Sequence, residues 1–440
     1  MNDRFLQNDR RGLQPGPGLN HFTDLPAGWM EVKVGNVVEK AGQMGSSRNP
    51  THRFKYVDVS SVSNDSLSIT GYTEYEGSNA PSRARKAIKD GDVLFATVRP
   101  YLKRVAVVPR ELDGEICSTA FCVLRAKVDV VDPGFLFFVT VNDSFVDRVT
   151  QHQRGSSYPA VTDNNIKEEF ILLPPLAEQR AIAHVLRTVQ RAKEVTEKVI
   201  AAARQLKQSL MRHLFTYGPV QLEDAERVEL KDTAASSIPK HWAIRQLQDV
   251  ATIERGKFAH RPRNDPRFYG GDIPFIQTGD VAKSGGRIRT YTQTLNQEGL
   301  SISRLFPKGT IVLTIAANIG DVGILEFDSA FPDSLVGITP TDHVTSQFLC
   351  LYLLGQKSEM DRLAPRGTQK NINIRFLEPW PVPVPPPKEQ MTIQMWLQAV
   401  NCKLEGEERR KQALEILFAT LVHNLITGKI RLPGFPSGKA

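Results

Sequence analysis

The side chains best suited to chemistry in this sequence are hydrogen-bond donors and acceptors gathered on a few short loops. VRPYLKR places Arg99, Tyr101, Lys103 and Arg104 just after a strand-like run, and RGSSYP adds Arg154, Ser156 and Tyr158. In the second half the counterparts are Asn318 and the loop residues Arg366, Thr368, Gln369, Lys370 and Asn371. Arginine, lysine, asparagine and glutamine on loops suit the donor and acceptor edges of nucleic-acid bases. Arg261 and Arg263, in HRPR, suit a phosphate clamp. A plainer reading stands beside each. The charged groups also read as solvated surface, Tyr101 and Tyr158 as core, and the Arg-Gly pairs at 154 and 366 as turns. Trp29 and Trp242 read as packing anchors rather than base stackers.

Motifs for covalent or cofactor chemistry are missing. There is no GxxxxGK[ST] phosphate loop and no strand-linked GxGxxG loop. There is no GxSxG elbow. No Asn/Asp-Pro-Pro-aromatic motif of the adenine methyltransferases occurs, and in LLPPL the prolines follow Leu173. The 9 histidines are scattered. The 4 cysteines, Cys117, Cys122, Cys350 and Cys402, form no CxxC pair. The expectation is a chain with no catalytic residue, metal site or cofactor of its own, with buried reduced cysteines in a cytoplasmic setting. No run of about 18 apolar residues suggests a membrane span. The polar N-terminus does not read as a signal peptide. The net charge of +8 favours a polyanionic partner through counterion release.

The elements that must position these loops occur twice, with a period of about 210 residues. LPAGW (Leu25 to Trp29) matches IPKHW (Ile238 to Trp242), and FKYVDVSSV (from Phe54) matches IPFIQTGDV (from Ile273). KDGDVLFATV (from Lys89) matches FPKGTIVLTIA (from Phe306), and FLFFVT (from Phe135) matches FLCLYL (from Phe348). The stretch Arg154 to Gln179 matches Arg366 to Gln390, and SLMRHLFTYG (from Ser209) matches TLVHNLITGK (from Thr420). The order is collinear. Each copy begins with short strand-like runs bounded by Gly, Asp and Pro, interrupted by apolar helical stretches. A proline stop follows, LLPPL or VPVPPP, and then a long helix.

The first helix is expected over 177–214, with a heptad seam of Ile182, Val185, Val189, Ala192, Thr196, Val199, Ala203, Leu206 and Leu210. The second is expected over 388–425, with Leu397, Val400, Leu404, Glu407, Lys411, Leu414, Phe418, Leu421 and Leu425. About 38 helical residues span roughly 57 Å, more than the ~34 Å of one DNA turn. Gly218 and Gly428 suit C-terminal caps. The expected organisation is a flexible tail 1–21, a domain 22–173, a helix 174–217, a linker 218–237, a domain 238–384, a helix 385–428 and a tail 429–440.

This grammar resembles the specificity subunits of type I restriction-modification enzymes. The residues that carry the resemblance are GDIPFIQTGDV (Gly271 to Val281), KDGDVLFATVR (Lys89 to Arg99), ICSTAF (Ile116 to Phe121), LITGKIRL (Leu425 to Leu432) and two PPxxEQ helix starts. It covers about Leu25 to Leu432. It implies an α/β (α+β) fold with two mixed target-recognition domains separated by two long antiparallel helices in pseudo-two-fold relation. It implies a non-catalytic subunit that reads an asymmetric bipartite site on double-stranded DNA and docks two methyltransferase subunits. Two restriction subunits would join for cleavage. S-adenosylmethionine would belong to the methyltransferase, ATP and Mg to the restriction partner, and no membrane is involved. The pairs Glu178-Gln179 and Glu389-Gln390 either complement the helix dipole or tie the helix start to its neighbouring domain or to the methyltransferase. PPPKEQ departs from the commoner PPLAEQ at Lys388, losing an apolar anchor. Two other readings remain open: a self-contained methyltransferase or nuclease with an unrecognised site, and a two-domain DNA-binding regulatory protein.

Overall fold

The computed structural model describes residues 25–43, 50–233, 237–316, 318–365 and 371–435. The chain divides into two compact units: Met1–Val199 with Glu407–Ala440, and Ile200–Gly406. Each unit is a mixed α/β domain together with parts of two long helices, because Leu176–Tyr217 and Pro387–Ile426 both run through a unit boundary.

In unit 1, one sheet has the order Thr73–Glu76, Arg53–Val57, Ile116–Ser118, Ala84–Ala87, with the middle pair parallel. A second, antiparallel sheet has the order Val38–Glu39, Phe121–Ala126, Val93–Ala96, Val105–Val107. Val93–Ala96 is buried on both faces, which is why VLFA reads as a continuous apolar run rather than an alternation. The apolar helix Pro133–Val141 is likewise buried nearly all round. Pro133 occupies its first turn, and the Asp132 carboxylate accepts from Phe135 N at 2.9 Å.

Unit 2 repeats the plan. Its main sheet has the order Ala251–Arg255, Leu335–Pro340, Ile311–Thr314, Val322–Leu325, Arg287–Ile288. A smaller sheet has the order Gln293–Leu295, Tyr269–Phe275, Ser329–Ala330, Leu305–Phe306, and its parallel contact of Phe275 with Ala330 corresponds to that of Tyr56 with Ile116. The apolar helix Ser346–Gly355 is capped by Thr345, whose hydroxyl accepts from Phe348 N at 3.2 Å. In both units the strand just after the tryptophan pairs with the strand at the proline stop: Met30–Lys33, after Trp29, with Phe170–Leu173, and Ala243–Gln246, after Trp242, with Pro381–Val384. The 218–237 linker is more ordered than a bare connection: Leu230–Asp232 pairs with Ser237–Pro239.

Within unit 1 the two long helices run antiparallel. Lys193 lies 5.1 Å from the centroid of the Phe418 ring, and Glu197 pairs with Lys411 at 2.9 Å. The second helix buries Leu397, Leu404, Glu407, Phe418 and Leu425 of its expected seam, leaves Val400, Lys411, Leu414 and Leu421 half-buried, and also buries Ile393, Val422 and Ile426 beside it. The first departs from the expectation. It buries Ile182, Leu186, Thr196, Ile200 and Leu214, whereas Leu206 is 56% exposed. Leu186 and Ile200 each lie one turn beyond a seam residue, so the buried face is set by what packs on each turn rather than by the seam alone.

Cys117, Cys122 and Cys350 are buried and Cys402 is exposed. Burial pushes the Cys122 and Cys350 thiols up to about 12 and raises Cys117 as well. In the native protein near neutral pH we expect a single fast-reacting thiol with a disulfide reagent, abolished by Cys402→Ser. Rapid reaction of two or more would contradict this packing.

Candidate nucleic-acid interface

In unit 1 the strand Val93–Ala96 leads into a 3-10 turn, Pro100–Leu102, flanked by Arg99 and Lys103 in left-handed backbone at φ 49° each. A second loop folds against it. Arg154 and Ala160 exchange backbone hydrogen bonds of 3.0 Å, and Val161 N donates to Thr97 O at 2.9 Å. Arg99 N donates to Pro159 O at 2.8 Å and its guanidinium to Ser157 O at 3.3 Å. The guanidinium also lies 5.2 Å from the Tyr158 ring centroid. The fold therefore brings Arg99, Tyr101, Arg154, Ser156 and Tyr158 together, and Tyr158 is 74% exposed. Two neighbours are engaged elsewhere: Lys103 pairs with Asp143, and Arg104 Nη1 donates to the carbonyls of Val59 and Val62 at 2.9 and 3.0 Å. Arg104 thus braces the chain and is only partly exposed.

Unit 2 builds the same pair of loops with different side chains. Ile372 N donates to Ile315 O at 2.9 Å, the counterpart of the Val161–Thr97 bond. Asn371 bridges Ala316, which places it beside the turn that carries Asn318. Asn318 Nδ2 donates to Asp321 Oδ2 at 2.7 Å. Arg366, Thr368, Gln369 and Lys370 lie outside the described residues. Arg261 and Arg263 sit apart from these loops in sequence, and both pair with Asp333. That carboxylate, which the sequence reading passed over, orients both guanidiniums.

The PPxxEQ motifs are interlocked with their own domains. Glu178 is fully buried; its Oε2 accepts from Trp29 Nε1 at 3.0 Å, and the carboxylate is clamped by Arg431 Nε and Nη2 at 2.9 and 2.5 Å. Glu389 Oε2 accepts from Trp242 Nε1 at 2.8 Å, with His241 Nε2 2.8 Å from its other oxygen. Gln179 donates to Val130 O and Pro174 O and accepts from Asp132 N; Gln390 donates to His343 O and Pro385 O and accepts from Thr345 N. Each glutamine thereby binds the N-cap residue of its apolar helix. Gly218 and Gly428 end the long helices at φ 79° and 69° beside Trp242 and Trp29, respectively. Within the stretch expected as a C-terminal tail over 429–440, Arg431 is seated in the domain, and its Nη1 also reaches Ala27 O at 2.8 Å. A guanidinium that gains a buried carboxylate and a carbonyl is held there.

Among the described residues no group of three or more His, Cys, Asp and Glu is placed to hold a metal ion, and no helix is long and apolar enough to cross a membrane. Over residues 26–205 and 239–416 the chain matches the type I restriction modification DNA specificity domain. It belongs to that family. The chain is therefore the DNA-recognition subunit of a type I restriction-modification system, and the catalytic steps belong to other subunits. It is 23% identical over 388 residues to the type I restriction enzyme HindI specificity subunit of Haemophilus influenzae, covering 74% of this chain and 82% of that one. It is 24% identical over 338 residues to the MjaVIII specificity subunit of Methanocaldococcus jannaschii, covering 72% and 75%. A solved structure concerned with complex assembly and conformational transition of the type I R-M system contains a chain 28% identical, with a TM-score of 0.61, covering 92% of this chain and 99% of that one.

Proposed function

We propose that residues 22–173 and 238–384 are two target-recognition domains, each reading one half of an asymmetric, interrupted DNA site. One observation carries this reading. Both units close the same pair of loops with the same backbone bond, Val161 to Thr97 and Ile372 to Ile315, while the side chains on those loops differ. Like scaffolds with unlike readers suit two different half-sites. In the first domain Arg99, Tyr101, Arg154, Ser156 and Tyr158 form the reading surface, with Lys103 and Arg104 as its support. In the second, Asn318 and Asn371 are readers, joined by Arg366, Thr368, Gln369 and Lys370 from the sequence pattern, while Arg261 and Arg263 approach phosphates. The buried Glu178, Gln179 and Gln390 serve to lock each long helix to a domain, together with Glu389. This favours the domain-tying role over direct docking of another subunit.

In this reading the long helices form the frame on which two methyltransferase subunits dock, and two restriction subunits join them. S-adenosylmethionine belongs to the former and ATP with Mg to the latter, in the cytoplasm. The test is methylome sequencing of cells expressing this chain with its cognate methyltransferase, against cells without it. Methyladenine is expected at a two-part motif with a fixed gap. A stable complex with an active methyltransferase that adds no such methylation would overturn the proposal.

A further inference from the structure

Unit 2 contains an open cleft of about 370 Å³ beside the Arg263 arm, walled by Tyr269 and Phe275 and lined with the amides of Asn264, Gln277 and Gln293. The two glutamines, Gln277 and Gln293, are paired with each other. Gln277 opens the helix Thr278–Lys283: its backbone N–H donates to Asp280 Oδ2 at 2.9 Å, and Asp280 N donates back to Gln277 O at 3.0 Å. Thr292 Oγ1 donates to the same carboxylate at 3.3 Å. Gln293 begins the strand Gln293–Leu295, where it lies opposite Phe275. Gln277 Nε2 then donates to Gln293 Oε1 at 3.1 Å.

In that bond the Gln293 oxygen faces Gln277 and its Nε2 faces away. Its oxygen keeps a second lone pair, and among the described residues nothing accepts from its Nε2. Gln293 is exposed, so an acceptor and a donor stand side by side at the mouth of the cleft. This is the complement of the adenine major-groove edge, whose N6 amino group donates and whose N7 accepts. Tyr269 has no donor left for the same edge, because its hydroxyl donates to Arg263 O. Arg261 and Arg263, pinned by Asp333, supply positive charge alongside.

We infer that Gln293 reads an adenine of an A·T pair in the half-site of the second domain, and that Gln277 is the positioning residue that sets its amide. This rests on residues 238–384 being a DNA-recognition domain. The test uses the full complex with its methyltransferase and reads the methylated motif. Gln293→Ala is expected to relax one A·T position of one half-site, lowering discrimination there by about 5- to 150-fold. The other half-site and the gap stay unchanged. Gln277→Ala should relax the same position less. Gln293→Glu keeps the shape but loses the donor to N7, so it should alter that position too, and it serves should the alanine variant fail to assemble. An unchanged motif, or methylation lowered equally at all sequences, would overturn the assignment of Gln293. Absence of any interrupted motif with the wild-type chain would instead overturn the domain reading on which it rests.

Discussion

Arg431→Met is expected to destabilise unit 1 by about 3–5 kcal/mol, because it leaves an uncompensated carboxylate inside the protein. Glu178 is 0% and Arg431 6% exposed at the side chain, so water cannot replace the missing guanidinium. The loss should fall on the join between the first long helix, Trp29 and the C-terminal segment, since Arg431 bonds both Glu178 and Ala27 O. Hydrogen exchange resolved by segment is the suitable measurement, because one unfolding free energy is poorly defined for a two-unit chain. Protection is expected to fall in residues 25–37 and 176–186 while unit 2 keeps its own. The double variant Glu178→Gln, Arg431→Met removes both charges and leaves an oxygen for Trp29 Nε1. It should recover most of the loss, as neutral replacements of buried ion pairs do. Equal exchange in wild type and Arg431→Met would show that the clamp contributes nothing.

The second large effect is expected from Phe331→Ala, at about 3–5 kcal/mol in unit 2. Phe331 is fully buried and stacks on Phe306, with ring centroids 4.1 Å apart and planes 15° apart. The cavity cannot collapse easily, because glycine backbone already approaches the rings. A Cβ at Gly256 would lie 2.5 Å from the Phe331 ring, and one at Gly337 2.7 Å from that of Phe306. The functional consequence follows from the next residues. Phe331 O accepts from Lys257 N at 3.0 Å, and Asp333 O accepts from Arg255 Nε at 2.6 Å while its carboxylate holds Arg261 and Arg263. Loosening the ring stack should free that arm. With the methyltransferase present, methylation of the two-part site is expected to drop steeply at growth temperature and recover in part on cooling. Hydrogen exchange should rise in unit 2 and not in unit 1. Phe331→Leu, which fills more of the space, should lie between. A Phe331→Ala protein with wild-type exchange would refute the packing argument.

The candidate interface was legible unevenly. Arg99 and Tyr158 stood out because charged and aromatic residues cluster after a strand and again near an Arg-Gly turn, and the fold brings these loops together. Arg104 carries the same local signal yet donates to the carbonyls of Val59 and Val62, some forty residues upstream, which no local pattern reveals. Gln277 and Gln293 were missed because a single glutamine in a strand or at a helix start is ordinary; only strand pairing with Phe275 sets the two amides together. Asp333 was missed for the same reason. Arg431 reads as tail because Gly, Pro and charge surround it, whereas its partner lies 253 residues away.

The sequence by itself determined the duplicated plan, the mixed α/β class of each copy, the two long helices and the glycines that end them. These follow from signals within a few residues: continuous apolar runs, proline stops and heptad spacing. Only the tertiary structure decided which helix face is buried beyond the first turns, what Glu178 and Glu389 bind, and which loop side chains remain turned outward. Those outcomes depend on pairs distant along the chain, which local spacing does not encode.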